Sequence, residues 1–245
     1  MENLYDKIRR FNKPLESLVV NFGYFNNLRI LRHTNQRPSN TRLKYYIRPF
    51  TIDWFISNEI FKQNIYKVHP IKGDKVLDVG AEIGLFSLLC ASKESTVYAF
   101  EPLTENYNLL LKNINLNKFN NYISPFNFGL AKTNSTKPFY ITRNSGNSSL
   151  IPYNTYNRKI YLPFKTIKEF LPCDILKMDI EGAEYEILLN TDLSQIKKEL
   201  ALEFHTHNNL NHFLNPLIHH ISTTHIIDYF KQYQLNGYLH AKRKP

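Results

Sequence analysis

The chain has 245 residues, of which 42% are hydrophobic and 14% aromatic, so it can bury a full core and lacks the composition of a disordered protein. Its formal net charge of +10 favours an anionic partner, such as nucleic acid, an acidic glycan or a membrane surface, without choosing among them. Two cysteines without a CxxC pattern argue against a disulfide framework or a thiolate zinc site, and we expect a cytoplasmic protein with no transmembrane segment.

Residues 1–50 carry many arginines and lysines among apolar residues. They predict a basic N-terminal extension of short helices and loops, followed by one domain over 51–245. The domain opens with a predicted helix over 51–66, because Ile52, Ile56 and Ile60 recur at helical spacing.

Apolar strands then alternate with helices. The predicted strands are 75–79, 96–100, 122–128, 139–141, 159–163, 175–178, 199–204 and 238–241. The predicted helices are 84–92, 104–117 with Thr104 as N-cap, 166–171, 183–190 and 222–234, and most of 132–157 is predicted to be loop. This alternation predicts an α/β fold with a doubly wound, mostly parallel sheet and helices on both faces.

Three acidic residues, Asp78, Glu101 and Asp179, lie at the carboxyl ends of predicted strands, where ligands bind in such folds. Gly80 and Gly84 bound the turn after the first of these strands. Glu101 follows the next strand, where a carboxylate is placed to hold ribose hydroxyls.

A dinucleotide site would need a glycine where this chain has Glu82, whose carboxylate would repel a pyrophosphate. S-adenosylmethionine has no phosphate, and acidic residues can face its sulfonium and ammonium cations. The pattern therefore favours S-adenosylmethionine. The alternative is a glycine-bounded turn that binds nothing.

Four segments resemble the FkbM-type methyltransferase family: VLDVGAEIG at 76–84, FEP at 100–102, LKMDIEGAE at 176–184 and EFH at 203–205. The resemblance covers about residues 50–240. It implies a Rossmann-like class I methyltransferase fold, S-adenosylmethionine as donor, and O-methylation of a hydroxyl, often on a sugar or polyketide. The stretch at 146–150 resembles the family's serine-rich active-site loop, which makes Ser148 and Ser149 substrate-binding candidates.

The chain departs from the family at two points. Glu82 stands where the family usually has asparagine, which puts the contacts of the donor loop in doubt. The chain also ends soon after the strand predicted at 238–241, so the antiparallel edge strand that normally closes the sheet is expected to be missing or supplied differently.

Methyl transfer from sulfonium to oxygen is an in-line displacement, and a hydroxyl acceptor benefits from a general base or a metal ion. Asp179 and Glu181 are predicted as catalytic acceptor-site residues, and His205 as a candidate base. Glu203 is a substrate-binding candidate, and the four side chains together could bind Mg²⁺. The alternatives are that Asp179 caps the following helix and that His205 is an ordinary strand end.

The predicted cofactor site comprises residues at the ends of the first three strands. They are Asp78, Gly80, Ala81, Glu82, Gly84, Glu101, Pro102, Asn127 and Gly129.

The leading functional hypothesis is O-methylation of a hydroxyl on a sugar, glycolipid or related metabolite. The basic charge supports an alternative, an RNA methyltransferase acting on tRNA or rRNA, although no RRM, KH or OB signature is found. A third alternative is a binding module that retains the fold without catalysis.

Overall fold

A computed structural model of the chain describes residues 28–33, 43–49, 51–141, 150, 156, 158–206 and 210–245. The helices in these ranges are α1 (Asp53–Asn58, continued by a π-helical turn, Glu59–Gln63), α2 (Leu85–Ala91), α3 (Thr104–Asn117), α4 (Glu184–Leu188) and α5 (Leu214–Thr224). Short 3-10 turns are Ile167–Glu169, Leu193–Gln195 and Leu210–Phe213. The strands are β1 (Arg29–His33), β2 (Leu43–Ile47), β3 (Lys75–Val79), β4 (Thr96–Phe100), β5 (Ile123–Phe126), β6 (Gly129–Ala131), β7 (Ser135–Ile141), β8 (Arg158–Thr166), β9 (Cys173–Met178), β10 (Ile196–His205), β11 (His225–Gln232) and β12 (Asn236–Arg243).

A seven-stranded sheet in the order β11-β12-β10-β9-β3-β4-β5 forms the centre of the fold. The five strands from β10 to β5 run parallel, whereas β12 and β11 are antiparallel to their neighbours. The chain winds outward from β3 to β5 and then returns to continue from β9 to β10. The predicted α/β, doubly wound, mostly parallel sheet is therefore confirmed, with its topological switch point between β3 and β9.

Helices cover both faces of this sheet, so alternate residues of its strands pack into different hydrophobic cores. On β3, Val76 packs in one cluster with residues of α2 and α3. Leu77 and Val79 pack in the other cluster with residues of α4 and α5. Burial on both faces explains why the strands read as nearly continuous apolar runs.

The C-terminal region differs from the prediction. A helix was predicted over 222–234, but α5 ends at Thr224 and β11 follows at once. Strands β11 and β12 pair as an antiparallel hairpin at the sheet edge. The edge strand expected to be missing is therefore present, formed by residues for which we predicted a helix.

The N-terminal extension was predicted to be helical, which is wrong for residues 29–33 and 43–47. These residues form the antiparallel hairpin β1–β2. Side chains of Asn113 and Asn117 on α3 bond the backbone of β2 and attach the hairpin to the domain. The rest of the extension lies outside the described residues, and the boundary at residue 50 stays a prediction.

A three-stranded sheet, in the order β6-β8-β7, occupies part of the region predicted as loop. Its strands β7 and β8 are longer than the strands predicted at 139–141 and 159–163, because they pair over seven residues. Helix α3 begins at Thr104 as predicted, but the N-cap position is Leu103 and no side chain caps it. Within the described ranges, no helix is long and apolar enough to cross a membrane.

Candidate functional site

The turn after β3 depends on a glycine. Gly80 has a φ of +80°, and a Cβ at this position would overlap the carbonyl oxygen of Asp179 on the neighbouring strand end. The amides of Gly80 and Ala81 both donate to the carbonyl oxygen of Phe100, at 3.1 and 2.9 Å. The close approach of three strand ends therefore explains the glycine.

Gly84 serves a different contact. It adopts a φ of +88° at the N-terminus of α2, where a Cβ would overlap the side chain of Leu110 on α3. Between the two glycines, Glu82 has a φ of +51°, a backbone conformation that is unusual for a residue with a side chain. Strained backbone of this kind is often found at binding sites.

Glu101 at the end of β4 is buried and bonds the glycine turn. Its carboxylate accepts hydrogen bonds from the amides of Glu82 and Leu103, both at 2.9 Å. Burial raises the pKa of Glu101 to about 7, although these amide bonds oppose the shift. Asn127 donates to the carbonyl oxygens of Glu101 and Pro102, and it thereby fixes the backbone around the carboxylate.

A cleft opens at the carboxyl ends of β3, β4 and β9, at the switch point of the sheet. It encloses about 890 Å³, open solvent at its mouth included. The predicted residues that line it are Gly80, Ala81, Glu82, Glu101, Pro102, Gly129, Asp179 and Glu181. Apolar side chains, among them Ile56, Phe86 and Leu130, form much of the remaining wall.

Asp78 does not line this cleft, in contrast to the prediction. Its side chain is fully buried and points towards α2, where it accepts a hydrogen bond from the Ser87 hydroxyl at 2.6 Å. Its other oxygen lies 3.2 Å from Nζ of Lys177. Lys177 in turn donates to the carbonyl oxygen of Gly80 at 2.7 Å and itself lines the cleft. Asp78 therefore contributes to the cleft indirectly, by holding the ammonium group of Lys177 in place.

Arg48, next to the end of β2, connects the β1–β2 hairpin to Glu82 in the turn between Gly80 and Gly84. Its guanidinium pairs with both carboxylate oxygens of Asp53 at the start of α1, at 2.8 and 3.0 Å. It also donates to Asn106 at 2.7 Å and lies 3.3 Å from the carboxyl of Glu82. Burial and the nearby Asp53 raise the pKa of Glu82 to about 8, although Arg48 opposes the shift.

Beside the cleft, the ends of β9 and β10 bring Glu181 and His205 together. Nε2 of His205 lies 3.3 Å from a carboxylate oxygen of Glu181. Its Nδ1 lies 2.8 Å from Glu184, which also accepts a hydrogen bond from the Gly182 amide. The predicted catalytic residues Asp179, Glu181 and His205 are thus neighbours, with ligand atoms within 4.8 Å of one another.

The protonation of this cluster follows from its charges. Burial alone would lower the pKa of His205, but the carboxylates of Glu184 and Glu181 raise it well above its usual value. Burial and the carboxylate of Asp179 raise the pKa of Glu203 well above the ordinary glutamate range. The imidazole ring lies between the carboxyl groups of Glu181 and Glu184, which favour its cationic form, and burial favours the neutral form of Glu203.

Asp179 does not cap the helix after it. The N-cap position of α4 is Ala183, which has no side-chain cap bond. The carboxylate of Asp179 instead accepts a hydrogen bond from the hydroxyl of Tyr66 at 3.0 Å. Burial and the charge of Asp179 raise the pKa of Tyr66, so its phenol remains a donor.

Several predicted residues lie beside the cleft and do not line it. These residues are Gly84, Asn127, Glu203 and His205. Ser148 and Ser149 lie outside the described residues. Sequence analysis missed Arg48, Tyr66 and Lys177. Only Lys177 had a signal, because a lysine inside the apolar strand CDILKM implies a buried partner.

Known proteins match this chain over the part that contains these strand ends. A family model described as the methyltransferase FkbM domain matches residues 78–238. Methyltransferase sdnD of Sordaria araneosa is 30% identical over 190 residues, which cover 62% of this chain and 73% of that protein. Methyltransferase 1 of Beauveria bassiana (strain ARSEF 2860) is 26% identical over 167 residues, which cover 56% of this chain and 67% of that protein.

Among solved structures, that of methyltransferase FkbM from Methylobacillus flagellatus KT aligns with a TM-score of 0.51 at 19% identity. The alignment covers 75% of this chain but only 47% of that protein, so this chain spans less than half its length. The likeness shows that the Rossmann-like fold is shared.

Proposed function

The chain belongs to the methyltransferase FkbM domain family, and from this premise we propose that it transfers a methyl group from S-adenosylmethionine to a hydroxyl of a sugar, glycolipid or related metabolite. One arrangement supports the proposal: a glycine-bounded cleft at the switch point adjoins the Asp179, Glu181 and His205 cluster. Binding and chemistry then take place at neighbouring strand ends.

The residues of the cleft suit the donor. Gly80 lets the backbone turn close to the neighbouring strand end, and Glu101 lines the cleft at the tip of β4, where ribose hydroxyls would bind. Asp179 and Glu181 supply negative charge for a cationic sulfonium and ammonium group. When bound, S-adenosylmethionine supplies the methyl group and leaves as the demethylated thioether.

On the acceptor side, we assign proton acceptance to the carboxylate of Glu181. As the methyl group is transferred, the proton of the acceptor hydroxyl would pass to Glu181. The two ring nitrogens of His205 already face carboxyl groups, Nε2 that of Glu181 and Nδ1 that of Glu184. We therefore assign His205 a positioning role, in which its ring holds Glu181 while Glu184 holds the ring.

A divalent metal fits this cluster poorly. The oxygens of Asp179 and Glu181 are suitable ligands for Mg²⁺, but both ring nitrogens of His205 already face carboxyl groups, Nε2 that of Glu181 and Nδ1 that of Glu184. Glu203 is not within the group of ligand atoms that lie close together. We expect turnover to survive chelation by EDTA, and restoration by added Mg²⁺ after such treatment would contradict this assignment.

The proposal is tested with purified protein, labelled S-adenosylmethionine and two cellular extracts, one of glycans and metabolites and one of RNA. Glu181→Gln should lower the rate of methyl transfer by about 10²–10⁴-fold, the usual contribution of a positioned base. Its affinity for S-adenosylhomocysteine should fall far less, because Asp179 still supplies negative charge for the ammonium group. Glu169→Gln, an exposed glutamate on the 3-10 turn after β8, serves as the control and should retain the wild-type rate.

Label in RNA alone would overturn the hydroxyl-metabolite substrate. Failure to bind S-adenosylmethionine or S-adenosylhomocysteine, with tight binding of NAD, would overturn the donor as well.

The nucleic-acid alternative has one supporting observation. One face of β8 carries the exposed Lys159 and Lys165, and Lys159 lies 5.4 Å from the ring centre of the exposed Tyr161 on the same face. Basic and aromatic side chains on one strand can bind single-stranded RNA by charge and stacking. Retention of tRNA on a filter, lost on Lys159→Ala and Tyr161→Ala together, would support this alternative.

A further inference from the structure

A second cavity lies on the acceptor side of the fold, beside the donor cleft. It encloses about 940 Å³, open solvent included, between β7, α4 and the 3-10 turn at 210–213. Most of the described side chains around it are apolar or aromatic. They include Pro138, Leu150, Tyr185, Leu189, Leu210 and Phe213.

This cavity adjoins the catalytic cluster. Gly182 and Ala183 in its wall follow Glu181 directly in the chain. The hydroxyl of Tyr185, another wall residue, donates to the carbonyl oxygen of His205 at 2.8 Å. Leu150 lines both the donor cleft and the second cavity. A molecule in the second cavity can therefore extend to the carboxylates where the hydroxyl must be placed.

The charges of the cavity indicate what can occupy it. Among the described wall residues, the charged ones are Lys137 and Glu186, which lie 3.5 Å apart and balance each other. The Tyr185 hydroxyl already has a partner. A phosphate backbone would meet no excess of positive charge here, and a bare sugar ring would find few groups to bond its hydroxyls. An apolar body would lose little and would gain from leaving water.

We propose that the second cavity binds the apolar body of an amphiphilic acceptor, whose hydroxyl end reaches Glu181. This inference rests on the proposed function, because it names the substrate class for the same site. The acceptor is thus a hydroxyl-bearing metabolite joined to an aliphatic or ring-shaped apolar group, and not a free sugar or RNA.

The test uses the uncharged apolar fluorophore N-phenyl-1-naphthylamine, titrated into the full chain with saturating S-adenosylhomocysteine. Wild type should show saturable binding. Phe213→Ala and Leu189→Trp should each weaken it by at least about fivefold, because the first removes apolar contact and the second fills the space. Phe230→Ala is the matched control, because Phe230 on β11 is 43% exposed and Phe213 is 38% exposed.

Equal binding by wild type and both cavity variants, or equal loss in Phe230→Ala, would overturn the inference. Because Phe213 is exposed, its variant should fold even where Leu189→Trp does not. Affinity for S-adenosylhomocysteine, measured by calorimetry on the same samples, separates the two proposals. If wild type does not bind S-adenosylhomocysteine, the proposed function is contradicted. If it binds S-adenosylhomocysteine but not the fluorophore, only the proposal about the second cavity is contradicted.

A second readout uses acceptors. Octyl glucoside should be methylated at least about tenfold more efficiently than methyl glucoside, the gain that about 1.4 kcal/mol of added binding gives. The preference should fall in Phe213→Ala and persist in Phe230→Ala. Equal efficiency for the two glucosides would also overturn the inference.

Discussion

At the scale of single residues, the donor turn is set by how closely β3 approaches the end of β9. The positive φ of Gly80 and the position of the Asp179 carbonyl together leave no room for a side chain. A second glycine, Gly73, has nearly the same φ, +86°, but nothing lies within 4 Å of the place where its Cβ would be. The two positions separate backbone strain from steric overlap.

Gly80→Ala should weaken binding of S-adenosylhomocysteine by at least about tenfold and destabilise the fold by about 2–4 kcal/mol, because overlap adds to strain. Gly73→Ala should cost about 1 kcal/mol through strain alone and leave affinity unchanged. Calorimetry and urea unfolding measure both quantities. Equal losses of affinity in the two variants would show that overlap with the Asp179 carbonyl does not determine S-adenosylhomocysteine binding.

The raised pKa of Glu82 predicts a pH-dependent stability. Its pKa is about 8 in the folded chain and 4.5 ordinarily, so between these values the folded chain holds a proton that the unfolded chain has lost. The contribution of Glu82 to stability is therefore present below pH 4.5 and is lost as the pH rises through about 8.

Glu82→Gln removes this titration, so its stability relative to wild type should rise between about pH 6 and about pH 9. Urea midpoints at the two pH values measure the change. Glu105→Gln, at an exposed position of α3, should show no such trend. A constant difference between Glu82→Gln and wild type would contradict the raised pKa.

At the scale of elements, helix α3 joins the hairpin to the domain. The Asn113 side chain accepts from the Tyr46 amide at 2.6 Å and donates to the carbonyl oxygens of Tyr46 and Ile83. One turn later, Asn117 bonds both the amide and the carbonyl of Lys44. Two asparagines at i and i+4 therefore provide β2 with hydrogen bonds that a neighbouring strand would otherwise give.

Asn113→Ala should lower the free energy of unfolding by about 2–4 kcal/mol, because it leaves buried backbone groups without partners. Asn117→Ala, whose bonds are exposed to water, should cost about 1 kcal/mol or less. Urea unfolding followed by circular dichroism compares the two. Similar costs for both variants would show that burial does not decide the effect.

The sequence predicted β3, β4 and α3 with correct bounds because their apolar periodicity agrees with the final burial. It failed at α5 and β11. Leu214, Leu217 and Ile221 do recur at helical spacing, but we placed the helix later, over the isoleucines and aromatics of 225–230. Those β-branched and aromatic residues favour a strand once β12 supplies a partner, which the local sequence does not reveal.

At the scale of the whole molecule, the site is made from distant segments, and this limits what sequence alone could predict. Strand-end residues such as Glu101 and Asp179 were predictable, because parallel strands end at one edge. The contacts of Arg48 with Glu82 and of Asp78 with Lys177 were not, because register and hairpin placement decide them. The positions of strand ends follow from the fold class, whereas side-chain partners follow from tertiary packing.

The net charge of +10 also belongs to the whole molecule. Binding of random-sequence RNA should fall by at least about tenfold from about 50 to about 200 mM salt, because released counterions drive it. Affinity for S-adenosylhomocysteine should change less than about twofold, since short contacts in a buried cleft are weakly screened. Filter retention and calorimetry measure the two. RNA binding that resists salt would indicate a specific nucleic-acid site.

Arg48 joins the β1–β2 hairpin to Glu82 in the turn after β3. We therefore expect ligand binding in the cleft and ordering of the hairpin to favour each other. Any free energy that an ordered Arg48 contributes to S-adenosylmethionine binding must stabilise β2 by the same amount when S-adenosylmethionine is bound. Amide hydrogens of residues 43–47 should then exchange with deuterium more slowly in the loaded protein, and Arg48→Gln should abolish that difference. A segment remote in sequence would thus report whether the cleft is filled.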